Sequence, residues 1–330
     1  MKHLLRSALL ALLTASVALP ASAQDSEDPS STEGALFLLL PVGAKGVSLG
    51  RAMTAMDGAE SGFWNPAGLA GVSESQVVLF RGDHVAGTAT ALSAVFAKPS
   101  LGTIGVSYFL LDVGDQDFRD SDGNVLGTVS VRNHLGVVSA GARILDRVNA
   151  GVNFKALQFR LSCRGTACSD AGTTATTYAV DLGIQVSPTP DSPLRLGAMI
   201  AHLGPRLQVL NADQADPLPL RVRVAAAYDV VGSLLGRDDL GGWLTVEVQE
   251  RPRDPGSMSF YIGSELTAGS TDALVLRAGY ALSHLDQEDG ARVGLGFRYE
   301  AFDLSIAKSL AVAPLTGETE PVHVTFSIIF

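Results

Sequence analysis

What this sequence lacks narrows its class before any motif is read. Beyond its first 23 residues it has no uninterrupted apolar run of about 18 residues, the length a membrane-crossing helix needs. Charged residues make up 18% of the chain, against about 25% in ordinary soluble domains. Yet 46% of the residues are apolar and the mean hydropathy is +0.24, too apolar for disorder and high for a soluble enzyme. The apolar content must therefore be spread in short, interrupted pieces. No basic cluster of the kind that binds phosphate backbones occurs, and the net charge is −10, which argues against a nucleic-acid partner. The 35 glycines follow no Gly-X-Y period, which excludes collagen. Glycine inside many short segments fits a curved or closed sheet instead. The chain has two cysteines, Cys163 and Cys168, in LSCRGTACSD with no histidine nearby. That is too few ligands for a metal site and suits a small loop disulfide in an oxidising compartment. A length of 330 residues accommodates one large barrel or two ordinary domains.

The start of the chain supplies the compartment. Met1 to Ala23 has a basic start at Lys2 and Arg6, a short apolar core from Leu9 to Ala18, a break at Pro20, and a small-residue cleavage site at Ala21-Ser22-Ala23. Residues 1–23 read as a secretory signal peptide, too short and wrongly flanked for a spanning helix. Gln24 follows, not cysteine, which argues against a lipoprotein. Cleavage leaves 22 cations against 34 anions, a net of −12. Residues 24–33 read as a flexible linker, 34–74 as a non-alternating N-terminal segment, and 75–330 as a sheet.

From residue 75 onward the chain alternates. In Val322–Phe330 the even positions are all apolar, while the odd positions are His323, Thr325, Ser327 and Ile329. Ala291 to Tyr299, Leu244 to Gln249, Leu220 to Tyr228 and Tyr178 to Val186 repeat the period of two. One apolar and one polar face fits a sandwich or a membrane barrel. The export signal, the glycine-rich polar face and a terminal strand ending on Phe330 favour a transmembrane antiparallel β-barrel. Fourteen strands are predicted, at 75–83, 88–98, 102–112, 131–144, 148–160, 174–187, 193–204, 219–231, 240–250, 256–266, 272–282, 290–299, 301–310 and 321–330. An even count places both ends of the sheet on one side, the periplasm. The three longest connections, 113–130, 161–173 and 205–218, then fall together on the outer side, as such barrels require.

Residues 34–74 are rich in small side chains, with a short helix predicted near Ser48 to Met56. The segment ends in Trp64-Asn65-Pro66-Ala67-Gly68-Leu69-Ala70. This run, after a Gly/Ala/Met-rich stretch, resembles the PorV/PorQ family of outer-membrane proteins, which belong with the broader FadL-like barrels. Leu194-Arg195-Leu196-Gly197, His202-Leu203-Gly204-Pro205, Pro217-Leu218-Pro219-Leu220-Arg221-Val222 and Leu276-Arg277-Ala278-Gly279-Tyr280 extend the resemblance in order over residues 34–330. Asp57-Gly58-Ala59-Glu60 departs from it, where a more acidic, alanine-rich stretch is expected. The resemblance implies a 14-stranded barrel whose N-terminal segment enters or plugs the lumen. It implies one of two non-enzymatic functions. The first is a protein-export partner (type IX secretion-like) that holds cargo or a translocon component. The second, FadL-like, is passage of a hydrophobic small molecule, for which Phe37, Leu38, Leu39 and Leu40 offer a greasy lining or simple packing against the wall.

Candidate chemistry is sparse. Asn65-Pro66 suits a fixed turn, so Trp64 to Gly68 is structural or gating. Gly46-Val47-Ser48-Leu49-Gly50 matches the G-x-S-x-G elbow but lacks the alternating βα context that elbow needs. Histidines 84, 134, 202, 284 and 323 show no metal spacing. Asp112, Asp115, Asp117, Asp120 and Asp122 crowd one expected outer loop, where a solvated loop is favoured over a calcium site. Arg221, Arg223, Arg277, Arg292 and Arg298, with Asp181, Glu247, Glu265 and Asp303, fall on the expected inward face. There they either pair with one another, joining segment to wall, or line a path for an anionic substrate. No cofactor is expected. The partners expected are outer-membrane lipid, secretion or cargo proteins, or a hydrophobic ligand.

Overall fold

The computed structural model describes residues 33–330 apart from 85, 99–100, 167, 169–171, 190, 237–238, 271, 284–288 and 311–321. The expected signal peptide, most of the linker, His284 and the connection 311–320 lie outside the described residues.

Among the described residues fourteen strands close into one barrel. They are β1 Gln76–His84, β2 Gly87–Lys98, β3 Gly102–Arg119, β4 Val125–Leu145, β5 Val148–Arg164, β6 Thr173–Val186 and β7 Leu194–Leu203, followed by β8 Arg221–Asp229, β9 Leu240–Glu250, β10 Ser259–Ala268, β11 Ala273–Leu282, β12 Gly290–Tyr299, β13 Phe302–Ser309 and β14 Val322–Ile329. Each pairs antiparallel with its neighbours in sequence, and β1 pairs with β14 to remove the edge. The end where β1 begins and β14 finishes is called the near end below, and the opposite one the far end. Outward positions carry the apolar residues: Leu79, Leu92, Ile104, Phe154, Leu182, Val246, Phe260 and Leu295 are all exposed. A soluble monomer rarely exposes apolar surface on this scale. No helix of the described residues is long and apolar enough to cross a membrane.

Most strand limits fall within three residues of those predicted. The hairpin β3–β4 is the main departure. Residues 113–130, expected to be a loop, are mostly strand, with Asp115 opposite Ser130 and Asp117 opposite Thr128. The aspartates belong to this ladder and its turn: Thr128 Oγ1 donates to Asp117 (3.3 Å), and Asp120 accepts the N–H groups of Asp122 (3.0 Å) and Asn124 (2.9 Å). Short polar side chains that satisfy each other across a hairpin read as a loop in sequence because they break the apolar period. β5 likewise runs to Arg164, four residues past its expected end. At its end Cys163, the penultimate residue of the strand, forms a disulfide with Cys168, with Cα atoms 5.5 Å apart. At the near end β8 stops at Asp229, whose side chain caps a short helix, α2 (Val230–Leu235), where strand and then turn were expected.

The N-terminal segment runs along the inner wall. Gly34 N–H donates to Pro217 O at the far end (2.9 Å), and the segment leaves at the near end, where Ser75 precedes β1. Its helix, α1, spans Ala44–Ser48 and not the predicted stretch from Ser48 to Met56. Gly50 and Arg51 have φ of +62° and +77°, which a continuing helix forbids. A 3-10 helix, Pro66–Gly71, follows Asn65. Phe37, Leu38 and Val42 bury against the inward residues Phe80, Phe109, Leu111, Leu135 and Leu157 in the far half. Leu49, Met53, Met56 and Trp64 bury against Ala225 and Ala227. At roughly 1.5–3 kcal/mol per buried large side chain, this packing holds the segment in place.

The disulfide closes only the short tip at the end of β5, so its removal is a local event. Cys163→Ser with Cys168→Ser, or reductant, is expected to leave heat-modified gel migration and thermal unfolding nearly unchanged. A large loss of heat resistance would contradict this.

Candidate functional site

The wall touches the segment through inward polar side chains. Six strands contribute the contacts that follow. From β14, the Thr325 hydroxyl accepts from Ala44 N–H (2.8 Å) and donates to Glu60 (3.1 Å). From β9, Glu247 accepts from Thr54 N–H (2.8 Å) and Thr245 donates to Ala52 O (3.2 Å). From β6, the Gln185 amide donates to Met56 O (3.1 Å) and Thr54 O (3.3 Å). From β5, Asn153 donates to Gly62 O (3.0 Å) and to Asp181 of β6 (2.8 Å). From β7, Arg195 bonds Asp57 at 2.5 Å. From β10, Glu265 sits 3.5 Å from Lys45 and 2.6 Å from Arg277 of β11. Isolated backbone groups cost free energy when buried, and these contacts satisfy them.

Two inward glycines permit the contact. A Cβ on Gly183 would lie 1.8 Å from Asn65 Oδ1, and one on Gly279 would lie 2.2 Å from Gly50 N. The glycines of the polar face, ascribed in the sequence to sheet curvature, thus also mark where backbone meets wall.

The WNPAGLA run is closely docked. Trp64 Nε1 donates to Val42 O (2.8 Å), and its ring lies under the Arg223 guanidinium, 5.6 Å away. Asn65 is fully buried. Its Oδ1 caps Ala67 N–H (3.1 Å), and its Nδ2 donates to Thr54 O (2.6 Å) and Ile184 O (3.4 Å). Pro66, Ala67 and Gly68 are buried in the following 3-10 helix. Glu60 accepts from Lys45 N–H, Gly46 N–H and Thr325, contacts that lower its pKa, yet burial has the larger effect and pushes the carboxyl above its ordinary range. Burial raises Asp57 too, against the pull of Arg195.

The predicted lumen charges divide into local sets. Arg221, among the largest fully buried side chains, clasps Glu33 with both terminal nitrogens (2.8 and 2.7 Å), and Arg251 stands 3.6 Å from the same carboxylate. Arg223 donates to Gln249 (2.9 Å) and lies 3.9 Å from Glu247. Arg277 and Glu265 form the pair described above. Asp181 meets Lys155 at 2.6 Å and accepts the His202 N–H at 2.9 Å. Arg292 is buried on the inner face of β12. Arg298 and Asp303 pair at 3.2 Å near the near-end rim, away from the rest.

Several partners were missed: Glu33, Lys45, Glu60, Asn153, Lys155, Gln185, Arg195 and His202. Parity within the predicted strand 148–160 places Asn153 and Lys155 inward, between outward Val152 and Phe154, so that signal was present. His202 had none. It points inward beside Ala201 through a register shift against β6, with φ +64°. Ser48 donates to Ala44 O (2.7 Å), as a helical serine does, and no strand-turn elbow surrounds it. Among the described residues no group of three or more His, Cys, Asp or Glu side chains is placed to hold a metal ion.

The segment does not fill the lumen completely. A cavity of about 510 Å³ remains between it and the wall toward the far end. Ala35, Leu36, Phe37, Leu39 and Leu40 line it on the segment side, with Leu111 and Phe159 from the wall. Arg221, Gln249, Arg251, Ser259 and Tyr261 supply the polar part. Arg51 lies on Tyr261 at 5.8 Å and also hydrogen-bonds Leu39 O. This is an apolar site with a few fixed polar groups, in the size range of small-molecule sites.

No protein-family model matches the chain, and no curated protein matches it in sequence. Solved structures share the fold. The CymD monoaromatic hydrocarbon channel is 13% identical with a TM-score of 0.58, over 91% of this chain and 99% of that one. The Ralstonia pickettii toluene transporter TbuX is 14% identical with a TM-score of 0.54, over 87% and 98%. A Pseudomonas aeruginosa FadL homologue is 9% identical with a TM-score of 0.50, over 88% and 98%.

Asn65→Asp keeps the cap to Ala67 but removes the donor to Thr54 O and Ile184 O. A loss of about 1–3 kcal/mol of local stability is expected. It reads out as faster hydrogen exchange across residues 44–71 with the strands unchanged. Unaltered exchange in that segment would contradict the docking described here.

Proposed function

We propose that this protein is an outer-membrane channel for hydrophobic small molecules and acts without catalysis. Its barrel has the FadL-like fold, shared with a solved FadL homologue, a toluene transporter and a monoaromatic hydrocarbon channel. The observation that carries the reading is the far-end cavity, apolar along Phe37, Leu39 and Leu40 and bounded by the N-terminal segment. In this reading residues 34–74 are the plug, the near end faces the periplasm and the far end faces outward. A ligand enters at the cavity, and its onward passage requires the plug to shift against the wall.

The segment is suited to that role because much of its hold is polar. Hydrogen bonds exchange with water at a modest net cost of about 0.5–1.5 kcal/mol each, so part of the docking can yield without unfolding the barrel. The export-partner expectation, drawn from the PorV/PorQ resemblance, finds no support in the comparisons. It predicts a co-purifying protein in place of a ligand.

Uptake of a radiolabelled monoaromatic hydrocarbon tests the reading in cells that carry the protein in their outer membrane. Uptake should exceed that of cells lacking it several-fold. Leu40→Trp, which fills the cavity, should return it toward background. Equal uptake with and without the protein would overturn the proposal.

A further inference from the structure

The outward surface holds a feature that passage through the lumen does not use. Arg81 of β1 points outward, next to outward Leu79 on its own strand and opposite Val324 and Thr90 on its neighbours. It makes no hydrogen bond or ion pair with any described residue. On a lipid-facing strand a charged side chain costs about 2–4 kcal/mol at the bilayer midplane and about 0–1 at the interface. An unpaired Arg81 therefore belongs at headgroup level.

Two more arginines stand on the same side. Arg132 of β4 and Arg160 of β5 lie directly opposite each other on the ladder, both outward. Like charges in that position repel unless an anion sits between them. Asp112 holds only Arg132 Nε, at 3.0 Å, and Arg160 has no partner among the described residues. The nearby carboxylates are engaged: Asp83 by Thr88 (2.7 Å), Asp112 by Arg132 and Gly114 N–H (2.9 Å), and Asp115 by Ser130. Arg81 and Arg132 line one surface cavity of about 430 Å³, with Thr90 and Leu110 between them and the carboxylates Asp112 and Asp115 also in its wall. Toward the near end the outward surface turns apolar at Leu79, Leu92 and Tyr108. On the opposite side of the barrel the far-end outward positions Phe260 and Leu282 are apolar up to the rim.

We propose that Arg81, Arg132 and Arg160, above the apolar track of Leu79, Leu92 and Tyr108, bind an anionic, phosphate-bearing membrane lipid. Its phosphate lies on the guanidinium groups, which suit bidentate recognition of phosphate, and its acyl chains lie along the track. The site rests on the reading of the barrel as membrane-embedded. It is separate from the lumen, so it holds whatever the channel carries.

The test uses the full chain in nanodiscs of phosphatidylcholine mixed with phosphatidylglycerol, released and weighed by native mass spectrometry. The wild type should retain phosphatidylglycerol in preference to phosphatidylcholine. The variant with Arg81→Gln, Arg132→Gln and Arg160→Gln should lose that preference by about tenfold or more. Arg147→Gln, at a near-end turn, should keep it. Equal retention of both lipids by the wild type, or undiminished preference in the triple variant, overturns the proposal. Loss of the lipid on adding inorganic phosphate assigns the arginines to a soluble anion and overturns it too. Heat-modified migration confirms that each variant is folded. A folded wild type that fails to enter nanodiscs removes the membrane reading itself, an outcome distinct from loss of lipid preference.

Discussion

Everything inside this barrel depends on one constraint: inward polar groups shielded from water must find partners, and here the N-terminal segment supplies them. Thr325, Glu247, Thr245, Gln185 and Asn153 all bond its backbone. The dependence is mutual. The segment has little regular structure of its own, so its backbone N–H and C=O groups need the wall as much as the wall needs them. Thr54 shows this most plainly. Its N–H donates to Glu247, and its C=O accepts from both Asn65 and Gln185.

The same constraint explains why the lumen charges form separate sets. A charge out of water needs a close partner. Arg221 finds it in Glu33, Arg277 in Glu265, and Asp181 in Lys155. Two of these sets reach the segment directly, through Glu33 and Lys45. They serve as ties first. Only the Arg221–Glu33–Arg251 group also borders the open cavity, where a ligand would meet it.

The barrel was legible in the sequence because its rule is local. Period-two alternation is carried by each strand independently, and fourteen such segments gave nearly the right limits. Where the rule failed, another local device had replaced it, such as the aspartate–hydroxyl pairs of the β3–β4 hairpin. The interior was harder. Alternation says which residues face inward but not what they meet, so Arg221 was identified and Glu33 was not. The helix in the segment was misplaced because Gly50 and Arg51 take left-handed backbone to fit the wall, a demand set by β10 and β11 far along the chain. Cys163 and Cys168 lie close enough in sequence for their pairing to be read directly, whereas the bulge that turns His202 inward leaves no local trace.

The central proposal is that the docked segment plugs the lumen. Ion conductance across a planar bilayer tests it most directly. The intact protein should be nearly silent, and a chain lacking residues 34–71 should open a large, steady pore. An intact protein that conducts as freely as the shortened one would contradict the account.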